Sequence, residues 1–201
     1  RIRMLNKFFV SGYRFHIYNK RILLIKGEFR NNDKGNEKLF VTLDDKKVQV
    51  KVEEHELPIP ITQNDNLLTK QYYLWIKLPE NWKEMKKLRI VQCGSGKKKI
   101  IRTFSIRTIC KLYREIPHNI DQMRVIDQGI RIKGWYIDTG DTRLEFEKHN
   151  KPIKAEVHQV RRVDVVNAFP ECKKENAIGF EAILSCNKTD VVKVKFSSPD
   201  R

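Results

Sequence analysis

The feature that most constrains this chain is a period of two that recurs along its length. Tyr13, Phe15 and Ile17 share one parity, with Arg14 and His16 between them, and Val48, Val50 and Val52 alternate with Gln49, Lys51 and Glu53. Ile153, Ala155 and Val157 alternate with Lys154, Glu156 and His158, and Val192, Val194 and Phe196 with Lys193 and Lys195. Successive side chains of a strand point to opposite faces, so each segment offers one face to a core and the other to water. Long helical periodicity is absent. The chain is expected to be all-β.

The strands also recur in order. "LLIKGEF" at 23–29 precedes "KLFVTLDDKKVQVKV" at 38–52, just as "IRIKGWY" at 130–136 precedes "RLEFEKHNKPIKAEV" at 143–157. Leu39 matches Leu144, the turns "DDKK" and "KHNKP" coincide, and Val48 matches Ile153. Asp, Asn and Pro suit such turns because they tolerate or pre-set the dihedrals required. A further apolar strand follows in each copy, 72–78 and 178–184, and closing strands follow at 87–93, 100–106 and 191–196. This internal repeat predicts two tandem immunoglobulin-like β-sandwiches, because two amphipathic sheets bury their apolar faces against each other. The expected domains are 1–107 and 123–201, joined by a linker over 108–122 where alternation lapses around Pro117. Gly27 and Gly134 fall at matching places within strands, which marks a bulge or a close backbone approach.

Composition narrows the function. With 40% hydrophobic and 33% charged residues the chain has the make-up of a globular protein. No apolar run approaches the ~20 residues of a membrane-spanning helix, and no signal-peptide core opens the sequence. The start at Arg1 without an initiator Met predicts a fragment of a longer protein. Cys93, Cys110, Cys172 and Cys186 have neither C-x-x-C spacing nor a nearby His, so reduced thiols and a cytoplasmic setting are expected. The net charge is +16, from 41 Lys and Arg against 25 Asp and Glu. Such a bias favours anionic partners, although basic residues spread through every segment also fit ordinary solvated faces. The densest cluster comprises Lys97, Lys98, Lys99 and Arg102, followed by Arg107, Lys111 and Arg114. The first four form a candidate anion-binding patch.

Signatures of catalysis are lacking: there is no phosphate-binding loop, zinc-protease motif, nucleophile elbow or dinucleotide fingerprint. "CGSGKKK" at 93–99 runs into a strand rather than a helix, so it reads as a glycine hairpin with a basic tip. Asp44-Asp45 and the pair Asp138 and Asp141 sit in turns, which hold carboxylates apart instead of converging them on one atom. The five histidines form no motif, and neither a metal nor a cofactor is expected. Trp75, Trp82 and Trp135 could stack on a sugar or a base, or pack in a core. Trp135 shares the parity of Arg131 and Lys133, which points to an outer face.

The stretch "RRVDVVNAFPECKKENAIGFEAIL" at 161–184 breaks the alternation. Asp164 is placed to cap the short helical run "VVNAF", which Pro170 ends. Arg161 or Arg162 can reach back to Asp164, and Val165, Val166 and Phe169 are spaced to cover the open edge of the core. On these grounds the stretch is a crossover that plugs one end of the second sandwich. Trp135, Arg161, Arg162 and Asp164 are the candidate ligand or crossover residues.

Several of these residues recur in order in a known family. Gly134-Trp135, Arg162-Val163-Asp164-Val165, Ala168-Phe169-Pro170 and Asn176-Ala177-Ile178-Gly179-Phe180-Glu181 resemble the β-sandwich module that precedes the catalytic domain of many bacterial family 2 glycosyltransferases. Those enzymes build cell-surface polysaccharides. Many members carry Pro where this chain has Val163. The resemblance covers about 123–197, and the first half joins it only through the repeat. It implies a non-catalytic accessory region, with the sugar-nucleotide site and its Asp-x-Asp motif in an α/β domain after residue 201. The implied roles are positioning an acceptor glycan, docking at the inner face of the membrane, or assembly. The implied partners are that catalytic domain, a glycan acceptor and an anionic membrane surface. A self-standing basic module for nucleic acid or another anionic polymer is the alternative.

Overall fold

In the computed structural model residues 8–29, 38–56, 70–94 and 96–199 are described. Strand accounts for 62% and helix for 11%, so the chain is all-β in class, and every strand pair is antiparallel. It divides into two compact units, Arg1–Tyr113 and Arg114–Arg201.

The first unit contains β1 (Phe8–Phe15), β2 (Ile22–Phe29), β3 (Lys38–Leu43), β4 (Lys46–Glu56), β5 (Lys70–Lys77), β6 (Lys87–Gly94), β7 (Lys97–Ser105) and helix α1 (Ile106–Leu112). Their order is β1-β2-β5-β4-β3-β6-β7. The long strand β4 serves both halves: Val48 pairs with Val41 of β3, while residues 49–56 pair with β5. Leu23, Ile25, Leu74 and Ile76 from one half and Leu39, Val41, Leu88 and Ile90 from the other share one buried cluster. The arrangement is sandwich-like. Ser105 caps α1 by accepting the Thr108 N–H, and Ile106 and Ile109 of that helix join the core. Trp82 is also core, packed on Phe15 and Tyr113, and is not available as a stacking platform.

The second unit contains β8 (His118–Ile126), β9 (Gly129–Ile137), β10 (Arg143–Lys148), β11 (Lys151–Ile153), β12 (Ala155–Arg161), helix α2 (Val163–Ala168), β13 (Ala177–Leu184) and β14 (Val192–Ser197). Two sheets form, β11-β10-β14 and β12-β13-β9-β8. The chain changes sheet at Lys154: Ile153 pairs with Phe146 and Ala155 with Leu184. Ile132, Phe180, Ala182 and Leu184 from one sheet and Phe146 from the other are buried together.

The stretch 108–122 differs from the expected linker. Its start completes α1 and its last residues open β8. An edge strand with mostly exposed side chains has no core face to impose alternation, and a bulge breaks the register after Ile120. That bulge lies opposite Gly134, and a second one, after Val10 in β1, lies opposite Gly27. Both glycines turn toward a core and admit a neighbour closely. A Cβ on Gly27 would lie 2.1 Å from the Phe8 ring, and one on Gly134 would lie 2.4 Å from the Asn119 carbonyl oxygen. Among the described residues no helix is long and apolar enough to cross a membrane.

Candidate functional site

The site grows from the alternation of β9 and β13. Ile132 and Tyr136 point into the core of the second unit, which leaves Arg131, Lys133 and Trp135 on the outer face. In β13 Phe180 and Ala182 point inward and leave Gly179 and Glu181 outward. Trp135 and Gly179 are direct cross-strand partners. Because Gly179 has no side chain, the stem of Arg162 lies across it: a Cβ there would meet the Arg162 Cγ at 2.6 Å. Lower on the face, Glu181 stands 3.5 Å from Lys133 and 3.8 Å from Arg131.

Arg162 leaves the end of β12 and forks between two carboxylates. Its Nε and NH2 donate to the two oxygens of Asp164 at 2.8 and 2.6 Å, and its NH1 donates to Asp121 at 2.5 Å. Asp121 is the residue displaced by the β8 bulge, which re-aims its side chain, and its other oxygen accepts from the Asn119 amide at 2.8 Å. The planar guanidinium suits this fork because it presents several fixed N–H groups at once. The Arg162 hydrogen bonds hold the Asp164 carboxyl down at about 2, and the same partners push the arginine pKa up.

Asp164 therefore does not cap α2. The cap position is Arg162, with no side-chain cap bond, and Asp164 stands in the first turn with its carboxylate on the arginine. Nor does the helix plug an end of the core. It lies on the outer face of the four-stranded sheet, where Phe169 meets Trp135 edge-on at 5.8 Å. Val165 is buried beneath it, and Val166 is half-buried at the side.

Beside this clamp a groove of about 690 Å³ opens between the end of β12, α2 and the turn before β13. Gln159, Arg161, Val163, Asn167, Lys174 and Ile178 are among its walls. The side-chain polar groups of Gln159, Arg161, Asn167 and Lys174 make no hydrogen bond or ion pair among the described residues. Val160 and Val163 remain 56% and 69% exposed, which leaves the groove with an uncovered apolar wall. Both neighbouring arginines line the groove, but the Arg162 guanidinium is committed to the two carboxylates of the clamp whereas that of Arg161 is not.

The basic patch is split. Lys97, Lys98, Lys99 and Arg102 all lie on β7, where alternation sends Lys98 to one face and Lys97 and Lys99 to the other. Arg102, beyond a bulge at Ile101, lies over the Phe104 ring. Gly94 pairs with Lys97 and Gly96 has φ +74°, as a glycine hairpin requires; Ser95 lies outside the described residues.

The turn carboxylates are engaged locally. Asp138 accepts the Gly140 and Thr142 N–H groups, and Asp44 accepts those of Lys86 and Lys87, which lower its pKa. Among the described residues no three His, Cys, Asp or Glu side chains are grouped to hold a metal ion.

Asp121, Asn119 and Lys174 were not among the residues expected from sequence. The available signal was Gly134, because a strand glycine predicts a bulge next to it and the bulged residue is the one re-aimed. Comparison with known proteins adds no identity: no family model and no curated protein matches the chain.

Proposed function

We propose that this chain is a non-catalytic accessory region of a glycosyltransferase of cell-wall or capsular polysaccharide synthesis, working at the cytoplasmic side of the membrane. In this reading its two units are immunoglobulin-like sandwiches descended from one repeat. The strand orders support the repeat: β1-β2-β5-β4 corresponds to β8-β9-β13-β12, and the start of β4 with β3 and β6 corresponds to β11-β10-β14. One observation carries the functional reading. The residues that resemble the glycosyltransferase-associated module meet in one place, with Trp135 against Phe169, Arg162 across Gly179, and Asp164 on Arg162.

The groove beside the clamp then takes the acceptor glycan. A sugar has hydroxyls for uncommitted amide and cationic side chains and C–H faces for valines, which is the mixture found there. Titrating the chain with acceptor oligosaccharides while following amide NMR shifts is the direct test. Shifts confined to the groove, weakened about tenfold or more by Arg161→Ala and little altered by salt, support glycan binding. Binding only to polyanions, with a steep salt dependence, transfers the assignment to a nucleic-acid or polymer module. Sequencing the gene beyond Arg201 tests the parent enzyme: an α/β domain carrying Asp-x-Asp is the expected continuation, and a stop codon removes the glycosyltransferase reading.

A further inference from the structure

The other half of the first unit carries a second surface. Cross-strand register places Phe40, Val91 and Ile100 in one row on the outer face of β3, β6 and β7. Lys38, Cys93 and Lys98 form the next row, and Thr42, Arg89 and Thr103 flank the first row on its other side, with Lys47 opposite Thr42. Lys47 Nζ lies 4.6 Å and Lys98 Nζ 5.8 Å from the centre of the Phe40 ring. Ile100, on the edge strand β7 two residues from Lys98, is 53% exposed. Asp45 in the nearby β3–β4 turn is paired with Arg89, and Asp44 is held by backbone amides. Lys38, Lys47 and Lys98 have no carboxylate partner among the described residues.

We propose that this face docks on an anionic lipid bilayer, with Ile100 entering the headgroup boundary and the lysines meeting lipid phosphates. Each lysine adds a modest attraction to an anionic surface, and an exposed aliphatic side chain adds a term that only an apolar medium rewards. Single-stranded nucleic acid fits less well. Both lysines already lie over the Phe40 ring and obstruct it as a stacking platform, and Ile100 would gain nothing from a sugar-phosphate backbone. The inference does not rest on the glycosyltransferase reading and stands or falls separately from it.

The test is co-sedimentation of the full chain with phosphatidylcholine vesicles, with and without phosphatidylglycerol. Binding is expected only when the anionic lipid is present, and it should weaken as salt rises. Two double variants remove the same net charge from opposite faces of β7 and its surroundings. Lys47→Ala with Lys98→Ala should lower partitioning about 25-fold, at roughly fivefold per lysine, whereas Lys97→Ala with Lys99→Ala should lower it only a few-fold. Ile100→Asp should also reduce it several-fold, with an unchanged melting profile in all variants. Equal losses in the two lysine pairs would show a response to net charge alone and overturn the face. So would absence of binding to the anionic vesicles, or tighter binding to single-stranded DNA through Lys47 and Lys98.

Discussion

The outer faces of β1-β2-β5-β4, part of the first unit's seven-stranded sheet, and of the four-stranded sheet β12-β13-β9-β8 solve one problem in different ways. Each has a core-facing strand glycine opposite a bulge, and each packs an aromatic residue beside it from the next strand, Tyr72 in one and Phe180 in the other. At the next register the sheets diverge. Glu28 pairs with Gln71 in the first unit, where Trp135 pairs with Gly179 in the second. The first face is closed by its own side chains, with Tyr73 between Lys26 and His55, and His16 against Trp75. The second has a glycine gap and fills it from outside, with Arg162 and α2. Covering a face with a crossover segment creates a seam, and the groove lies along that seam. A recess therefore opens only where the covering comes from elsewhere in the chain.

The sharpest way to break this comparison is to add one methyl group at each strand glycine. Gly134→Ala sets a Cβ against the Asn119 carbonyl oxygen, which is backbone and cannot step aside. A loss of about 3 kcal/mol is expected. Gly27→Ala meets the ring of Phe8, a buried side chain that must shift within the core but yields more readily than backbone, so a smaller loss, about 2 kcal/mol, is expected there. Urea unfolding followed by tryptophan fluorescence measures both. Equal costs would mean that the two bulges are held by different contacts from those described.

Much of the frame was readable from sequence because amphipathic strands leave a period-two trace. Val48 to Val52 and Val192 to Phe196 declare their inward parity, and Gly134-Trp135 declares both a close approach and an outer aromatic. β8 left no such trace. "HNIDQMRVI" lies at an edge with little core to face, and the bulge at Asp121 shifts its parity midway. For the same reason one half of the Arg162 clamp was hidden, since nothing local links Asp121 to an arginine 41 residues later. Spacing also could not say whether Arg161 or Arg162 would lie across the outer face of the sheet. That choice follows from the missing side chain at Gly179, a fact of the neighbouring strand.

The clamp provides the next effects. Arg162→Ala removes a stem packed over Gly179 and leaves Asp121 and Asp164 facing each other, at an expected cost of about 2 kcal/mol. Arg162→Lys keeps the charge but cannot fork, and about 1 kcal/mol is expected. No counterpart of this pair exists at Gln71, so Gln71→Ala should change stability by less than about 0.5 kcal/mol. The same urea titration orders the three variants.

Acid should loosen the second face through Asp164. Its carboxyl titrates at about 2 in the folded chain against an ordinary 3.8, chiefly because Arg162 donates to it. A depressed carboxyl pKa gives stability that is fully present above the unfolded value and is lost as pH falls through the folded one. The melting-temperature gap between the natural chain and Asp164→Asn should therefore be constant above about pH 5 and close toward pH 2. A gap that persists unchanged at pH 2 would show that Asp164 acts through packing or helix geometry and not through its charge.

The smallest expected effect bears most on function. Arg161 and Lys174 stand on the groove without partners among the described residues, so the fold has no use for their charges. Arg161→Ala and Lys174→Ala should each change stability by less than about 0.5 kcal/mol, while Arg162→Ala one position along costs several times more. Binding should show the reverse ranking, with the two groove variants losing glycan affinity and retaining an intact melt. Were Arg161→Ala to destabilise the unit as Arg162→Ala does, the groove would be part of the clamp, and the second face would be closed in the same sense as the first. Separate rankings for stability and binding are what a recess built along a crossover seam requires.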